Sequence, residues 1–300
     1  MATIQAPARP KRPSQQPSEV SAARAARNVG RRLLLAGTYV LLTVMALGVI
    51  YPLIWMALNG FKTNAELFGS AWGLPGQLRW SNFATAWTQG VVRYLFNSVL
   101  VTVLSIVGVV IISAWAAYGL TRLRMPLAGP ITMIILGGLM LAPTVALVPL
   151  FQLLNSLRLY DTYAGLIILY IAFRIPFTLF LIRAYMFTLP HEVEEAARVD
   201  GASAWQIFWR VVFPMSRPVL VSAALLQAIF AWNEFPFALV FINNPNLKTL
   251  PVGLLDMQSR LLTNWPVMFA ALTLAALPMI IAFLVGQRQF IRGLAEGFGK

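Results

Sequence analysis

The sequence predicts an all-α, polytopic membrane protein with six transmembrane helices and a pair of short helices in the loop between the fourth and fifth. Three observations carry this expectation. First, 59% of the 300 residues are hydrophobic, only 11% are charged, and the mean hydropathy is +0.72. A globular domain carries roughly 25% charged residues. A folded sphere of this length cannot hide so much apolar surface, so lipid must serve as solvent. Second, the apolar residues gather in six runs of about 20–25 residues, each able to cross a hydrocarbon core of about 30 Å. Third, the formal charge of +13 is unevenly spread along the chain, which in a membrane protein reads as topology.

The elements follow in order. Residues 1–30 are rich in Pro, Ala, Ser, Gln and Arg, with Glu19 the one acid. They show no apolar period and read as a disordered basic tail. A cleaved targeting peptide is the alternative. The apolar run after Arg31 and Arg32 is too long for a signal-peptide core of roughly 7–15 residues, so it reads as an uncleaved first span. Residues 31–300 then form one membrane domain. Its spans are expected at about 33–57, 95–119, 130–154, 164–184, 217–241 and 266–286. Pro52, Pro143, Pro149, Pro176 and Pro278 fall inside or near the ends of spans. Each removes a backbone donor and favours a kink, tolerated in lipid where neighbouring helices or a cavity satisfy the freed carbonyl. No convincing internal repeat is found.

An even number of spans puts both termini on one side. With the N-terminus inside, Arg9, Lys11, Arg12, Arg24, Arg27, Arg31, Arg32, Arg122, Arg124, Arg183, Arg198, Arg210, Arg217, Arg288, Arg292 and Lys300 all lie in the cytoplasm. Only Lys62, Arg79, Arg93, Arg158, Lys248 and Arg260 lie outside. This bias places both termini in the cytoplasm. Trp72, Trp80, Trp87 and Trp265 then sit in external loops, where their amphipathic rings suit the membrane interface.

Function classes fall away on composition. With no Cys and one His, thiolate and multi-His metal sites are excluded, and no metal or other cofactor is expected in this chain. The basic balance of a soluble chain would suggest nucleic acid; here topology explains it, and no nucleic-acid partner is expected. An intramembrane enzyme would need a Ser–His, paired-Asp or metal constellation at membrane depth, which the central spans do not offer. A stand-alone channel or ion-coupled carrier usually keeps intramembrane carboxylates, of which the central spans have almost none.

The most informative segment is the loop at 189–217. Pro190 suits a first helical position. Glu192, Glu194 and Glu195 suit the positive end of a helix dipole. Glu194 and Arg198 stand four apart in the favourable order. Gly201 suits the left-handed residue that ends a helix, and Ser203 can cap the next. Val193, Ala196, Ala197 and Asp200 fall on one stripe at i, i+3, i+4, i+7, whose small side chains allow close approach to another surface. The alternative is an amphipathic helix lying on lipid headgroups.

Glu195-Ala196-Ala197, then Gly201 and Phe213-Pro214, resembles the EAA motif of membrane subunits of binding-protein-dependent ABC importers. "LPHEVEEAARVDGASAWQIFWRVVFPMSRP" at 189–218, "AWNEFPFALVF" at 231–241, "TLPVGL" at 249–254 and "QRQFIRGLAEGFGK" at 287–300 narrow this to carbohydrate-importer permeases of the maltose-transporter type, and within it to the second, six-span permease. "NGFKTNAELF" at 59–68, "NSVLVT" at 97–102 and "LAPTVALVPLF" at 141–151 fit the same family. The resemblance covers about 31–300. It implies a sugar or polyol-like solute, a partner permease, two copies of a cytoplasmic ATPase and an extracytoplasmic solute-binding protein. It implies that the helix at about 191–200 is a coupling helix, with Glu195 facing the ATPase and Gly201 making the turn that lets it dock. ATP and Mg would be bound by the ATPase alone. The sequence agrees, since no G-x-x-x-x-G-K-[ST] loop is present and Gly297-Phe298-Gly299-Lys300 lacks its spacing. The family's C-terminal tail can touch the ATPase, so Phe298–Lys300 is a further contact candidate. Gly201→Asp is expected to block the turn and uncouple ATPase binding.

Three polar residues within spans are candidates for the solute path. Arg174 lies near the middle of span four, where a charge costs about 2.5–3.5 kcal/mol on insertion scales and should face the bundle interior. Asn233 and Glu234 suit hydrogen bonding to sugar hydroxyls, or else cap a bend before Pro236 or contact the partner permease. Asn97 and Ser98 are explained by helix capping. His191 reads as a solvent-facing residue at a helix start.

Overall fold

The computed structural model describes residues 17–123, 125–260 and 264–298, the side chains of 17–29, 259–260 and 288–298 excepted. Among these residues the secondary structure is helical throughout, with no strand. The chain divides into two units between Trp55 and Met56.

The first unit is carried by α1 (Pro17–Asn59). It begins within the segment expected to be an irregular tail. Pro17 at the first helical position, Glu19 in the first turn and Ala22, Ala23, Ala25 and Ala26 explain this correction: all favour a helix start or helix interior. Residues 1–16 lie outside the described residues. Every side chain from 31 to 54 is exposed.

The second unit starts with α2 (Asn64–Gly69) and α3 (Trp80–Ala86). Thr63 and Glu66 close a capping box on α2: the Thr63 hydroxyl accepts from the Glu66 N–H at 3.1 Å, and the Glu66 carboxylate accepts from the Thr63 N–H at 2.8 Å. A wide turn at Trp87–Val91, kinked at Gly90 (φ 127°), leads into α4 (Val92–Arg122). The next apolar run is broken. α5 (Ala128–Gly137) passes through a tight turn at Gly138–Met140, extended residues at Leu141 and Ala142, and a second tight turn at Pro143–Ala146 into α6 (Leu147–Ser156). The two halves meet at 90°. Ala142 precedes a proline and is pushed out of the helical region, which fixes the break there. The expected third span at 130–154 is therefore a bent pair.

α7 (Tyr163–Met186) is continuous through Pro176. α8 (Glu192–Val199), α9 (Ala204–Ile207), a wide turn at Phe208–Val212 and α10 (Phe213–Met215) make the loop beyond it. α11 (Arg217–Trp232) leaves α10 at a bend of 75°. It stops at Trp232, short of the expected 241, and α12 (Pro236–Phe241) restarts the chain. The proline nitrogen at 236 donates nothing, and Asn233 turns its amide back to the Ile229 carbonyl at 2.8 Å. α13 (Leu250–Arg260) precedes α14 (Trp265–Phe298), which runs past the expected end at 286.

By length and apolarity four helical segments can cross a membrane: 30–59 of α1, 80–122 through α4, α7, and 265–287 of α14. Counting each bent pair as one span gives up to six.

α4 is the spine of the second unit, packed along α7 and against α11, while α11 packs on α14. One core layer joins Ala114, Ala117 and Tyr118 of α4 to Ile182 and Met186 of α7 and to Ile207, Phe208 and Val219 beside α8. A second joins Val101, Leu166, Tyr170, Phe237 and Phe241. Asn97 and Ser98 do more than cap their own helix, because α4 starts a turn earlier at Val92. The Asn97 amide donates to the carbonyls of Asn246 (2.8 Å) and Lys248 (2.9 Å), and its oxygen accepts from the Tyr163 hydroxyl (2.7 Å). Ser98 accepts from the Leu250 N–H at 2.7 Å, capping α13 from another helix. Both expectations of ordinary capping are corrected: these side chains tie the 244–250 loop to α4.

Candidate functional site

Two places in the second unit gather the candidate residues. The first is the α8 loop. Its short helix is held from below by Arg122, the last residue of α4. The Arg122 side chain is wholly buried, and its Nε lies 3.1 Å from Glu194 Oε1, itself 5% exposed. Nη2 donates to the carbonyls of Met186 and Leu189 (2.8 Å to the latter), and Nη1 sits 2.6 Å from the ring nitrogens of His191. One guanidinium thus joins the ends of α4 and α7 to α8. The expected Glu194–Arg198 pair does not form, because Glu194 turns inward to Arg122. His191 is exposed, as expected, yet touches Arg122.

Inward rotation of Glu194 also revises the expected docking stripe. Ala197, three residues on, follows Glu194 and packs on the core. Val193, Glu195, Ala196 and Asp200 remain exposed, joined by Val199 at 87% exposure. The free face is therefore small, apolar and acid-edged. Asp200 ends the helix, its N–H donating to the Ala196 carbonyl at 3.0 Å. Gly201 follows at φ +82°, the left-handed conformation that favours glycine, with open space where a Cβ would point. Ser203 caps α9 in a box with Gln206: its hydroxyl accepts from the Gln206 N–H at 3.3 Å, and its own N–H donates to Gln206 Oε1 at 2.8 Å. Trp205, Phe208 and Trp209 then stack edge-on around Trp115 of α4. Gly299 and Lys300 of the C-terminal candidate lie outside the described residues, as does the side chain of Phe298.

The second place is a cavity of about 380 Å³ between α4, α7, the break in α5–α6 and the break between α11 and α12. Both helix breaks face it, through Pro143 and Thr144 on one side and Asn233–Pro236 on the other. Irregular backbone at membrane depth is tolerated where it lines a cavity, and paired broken helices are the usual pointer to a transported solute's site. Arg174, Asn233 and Glu234 all line it. Glu234 caps α12: Oε1 accepts from the Phe237 N–H (2.8 Å), and Oε2 accepts from the Ala238 N–H (3.1 Å) and the Tyr170 hydroxyl (2.6 Å). Arg174 lies over the Phe230 ring, 4.1 Å from its centre.

Sequence reasoning missed Arg122, Tyr170, Gln227 and Phe230. Tyr170 could have been found, since it stands one turn before Arg174 on α7; the others depend on which helices become neighbours. It also counted Lys62 among the external charges and said nothing of its burial. Lys62 is 1% exposed and donates to the carbonyls of Ser70 (3.0 Å) and Ala71 (3.1 Å), closing the loop after α2.

A family model described as "Binding-protein-dependent transport system inner membrane component" matches residues 20–296. The probable ABC transporter permease protein YurM of Bacillus subtilis (strain 168) is 46% identical over 262 residues, covering 87% of each chain. The diacetylchitobiose uptake system permease protein NgcG of Streptomyces coelicolor is 33% identical over 278 residues, covering 92% of each. Among solved structures, a chain of a bacterial ABC transporter involved in import of the acidic polysaccharide alginate matches with a TM-score of 0.77 at 27% identity, covering 87% of this chain and 98% of that one. The family match extends from within α1 to within the last turn of α14 and takes in both the α8 loop and the cavity, so the chain belongs to the binding-protein-dependent transport system inner membrane components.

Proposed function

We propose that this chain is a permease subunit of an ATP-driven, binding-protein-dependent ABC importer that carries a sugar or related polyol across the cytoplasmic membrane. It pairs with a second, distinct permease. Two copies of an ATPase bind from the cytoplasm, where both termini lie, and an extracytoplasmic binding protein delivers the solute. The chain itself catalyses no reaction; ATP and Mg belong to the ATPase.

The observation that carries this reading is α8. An eight-residue helix exposes Val193, Glu195, Ala196, Val199 and Asp200 and ends at a left-handed Gly201, while a buried ion pair fixes its inner face. A face of small and acidic side chains on a rigid mount suits insertion into a groove of another protein. Movement imposed on α8 passes through Arg122 to α4 and α7, which line the cavity. Glu195 is then the acid presented to the ATPase, with Ala196, Asp200 and Gly201 beside it. Ala197 sets the helix on its core. The sugar class is supported by the uptake systems for which similar proteins are named.

Affinity purification from gently solubilised membranes, with mass spectrometry of what accompanies the chain, tests the assembly. An ATPase and a second permease in stoichiometric amount are the expected result. A chain that purifies alone in several mild detergents would overturn the importer reading in favour of a carrier.

A further inference from the structure

We infer that the cavity between α7 and α11 takes a saccharide bearing an anionic group, and that Arg174 is the residue that reads it. This deepens the proposed solute route and rests on it.

The cavity holds one guanidinium and one carboxylate, and they do not neutralise each other by contact. Among the described residues no carboxylate oxygen lies within 4.0 Å of Arg174. Glu234 is turned away, its oxygens taking two backbone N–H groups of α12 and the Tyr170 hydroxyl. Three of the roughly four acceptor positions of a carboxylate are thereby used. Arg174 has the Phe230 ring as its side-chain partner. An aromatic face offers a cation an electrostatic partner but no oxygen for the guanidinium's five planar N–H donors. A half-buried cation without an acceptor is costly, and an anion supplied by a ligand removes that cost.

The remaining polar atoms fit a hydroxylated ligand. The Thr178 hydroxyl donates to the Arg174 carbonyl at 2.8 Å, so it faces Gln227 as an acceptor. Gln227 must therefore present its NH2 to Thr178, at 2.8 Å, which leaves Oε1 as its free end. Gln227 is 2% exposed and that oxygen has no partner; neither has the buried Ser105 hydroxyl. Both residues line the cavity. Both atoms are sealed from solvent as the cavity stands, so the polar side chains in reach of a sugar are those of Thr144, Arg174 and Asn233, between walls that include Phe173 and Phe235 for the apolar faces of the rings. A neutral sugar would leave the Arg174 donors without an anionic acceptor in direct contact, since Glu234 lines the same cavity but is turned to α12 and Tyr170. The volume lies within the usual range of about 300–1,000 Å³ for ligand sites.

The test uses the assembled transporter in lipid nanodiscs, without its binding protein. Uronate di- and trisaccharides are compared with their neutral methyl esters, which keep the same rings. The acids are expected to bind roughly 10- to 100-fold more tightly, the scale of a charged hydrogen bond. Arg174→Gln should erase the difference, and Arg174→Lys should retain part of it. Equal affinity for acid and ester, binding of neither, or a preference that survives Arg174→Gln would overturn the inference. So would loss of the second permease on Arg174→Gln, which would make Arg174 the partner of an acid in that subunit. Because the chain has no Cys, Ser105→Cys reports separately on the route. If a hydrophilic thiol reagent reaches it in no nucleotide state, the route itself fails. If the reagent reaches it but no charge preference is measured, the anionic inference alone fails.

Discussion

Arg122 and Gly201 carry the α8 loop in different ways. Arg122 is a buried charge whose partners come from three elements. Arg122→Ala leaves Glu194 buried and unpaired, for which a cost of about 3–5 kcal/mol is expected. Faster hydrogen exchange across α8 and weaker ATPase co-purification would register it. Glu194→Gln keeps an acceptor and should be milder in both measurements. Gly201 acts through its backbone. Nothing lies within 4 Å of an added Cβ, so within this chain a side chain at 201 disturbs the turn through the backbone and not through a clash. The cost lies in the left-handed φ, about 1–2 kcal/mol for an ordinary L residue and less for Asp or Asn. Gly201→Val should therefore weaken ATPase co-purification more than Gly201→Asp. If Asp is instead the worse of the two, its side chain must meet the ATPase surface.

At the scale of elements, the caps respond to pH and the breaks to proline. Glu66 is the one carboxylate in a two-way cap of α2. The Thr63 N–H bond to its carboxylate, aided by the Thr63 hydroxyl, the Gly76 N–H and the Arg79 charge, lowers its pKa below the ordinary Glu value of 4.5. A depressed carboxylate pKa adds stability that is present above the unfolded value and lost as pH falls through the folded one. Amide exchange in α2, corrected for intrinsic rates, should thus be unchanged from neutrality to about pH 5 and accelerate below pH 4.5. Glu66→Gln should abolish that dependence. The breaks in α5–α6 and α11–α12 follow from Ala142-Pro143 and Phe235-Pro236, where extended or unsatisfied backbone ends one helix and begins another. Hydropathy averaged over a window reads straight through both.

For the whole molecule, topology is the property that charge distribution dictates. With no native Cys, single replacements report each side without background from this chain, which is purified before labelling is read. Val199→Cys, 87% exposed in the α8 loop, should react with an impermeant maleimide only in inside-out vesicles. Phe68→Cys, 74% exposed at the end of α2, should react in intact cells freed of their outer envelope. The opposite pattern would invert the assigned orientation. The second unit also explains why so few charges suffice. Arg122, Lys62 and Glu194 are each buried with partners, so they serve as joints within the fold and lend little to the solvated surface.

The all-α membrane class, the continuous α7, the Gly201 turn and the Ser203 cap follow from local chemistry in the sequence, because lipid solvation, helix propensity and capping depend on residues close in the chain. The resemblance carried by residues 189–218, being contiguous, was legible for the same reason. Pairings across helices were not. Whether Glu194 meets Arg198 or Arg122, whether Glu234 faces a ligand or caps α12, and whether Asn97 caps its own helix or holds a distant loop each depends on which helices become neighbours. A contact between residues far apart in the chain has no local signal, and several partners of similar chemistry compete for each polar group until packing chooses one. That choice turned Ala197 inward, freed Val199, and left Arg174 over Phe230 in a cavity whose two walls are broken helices.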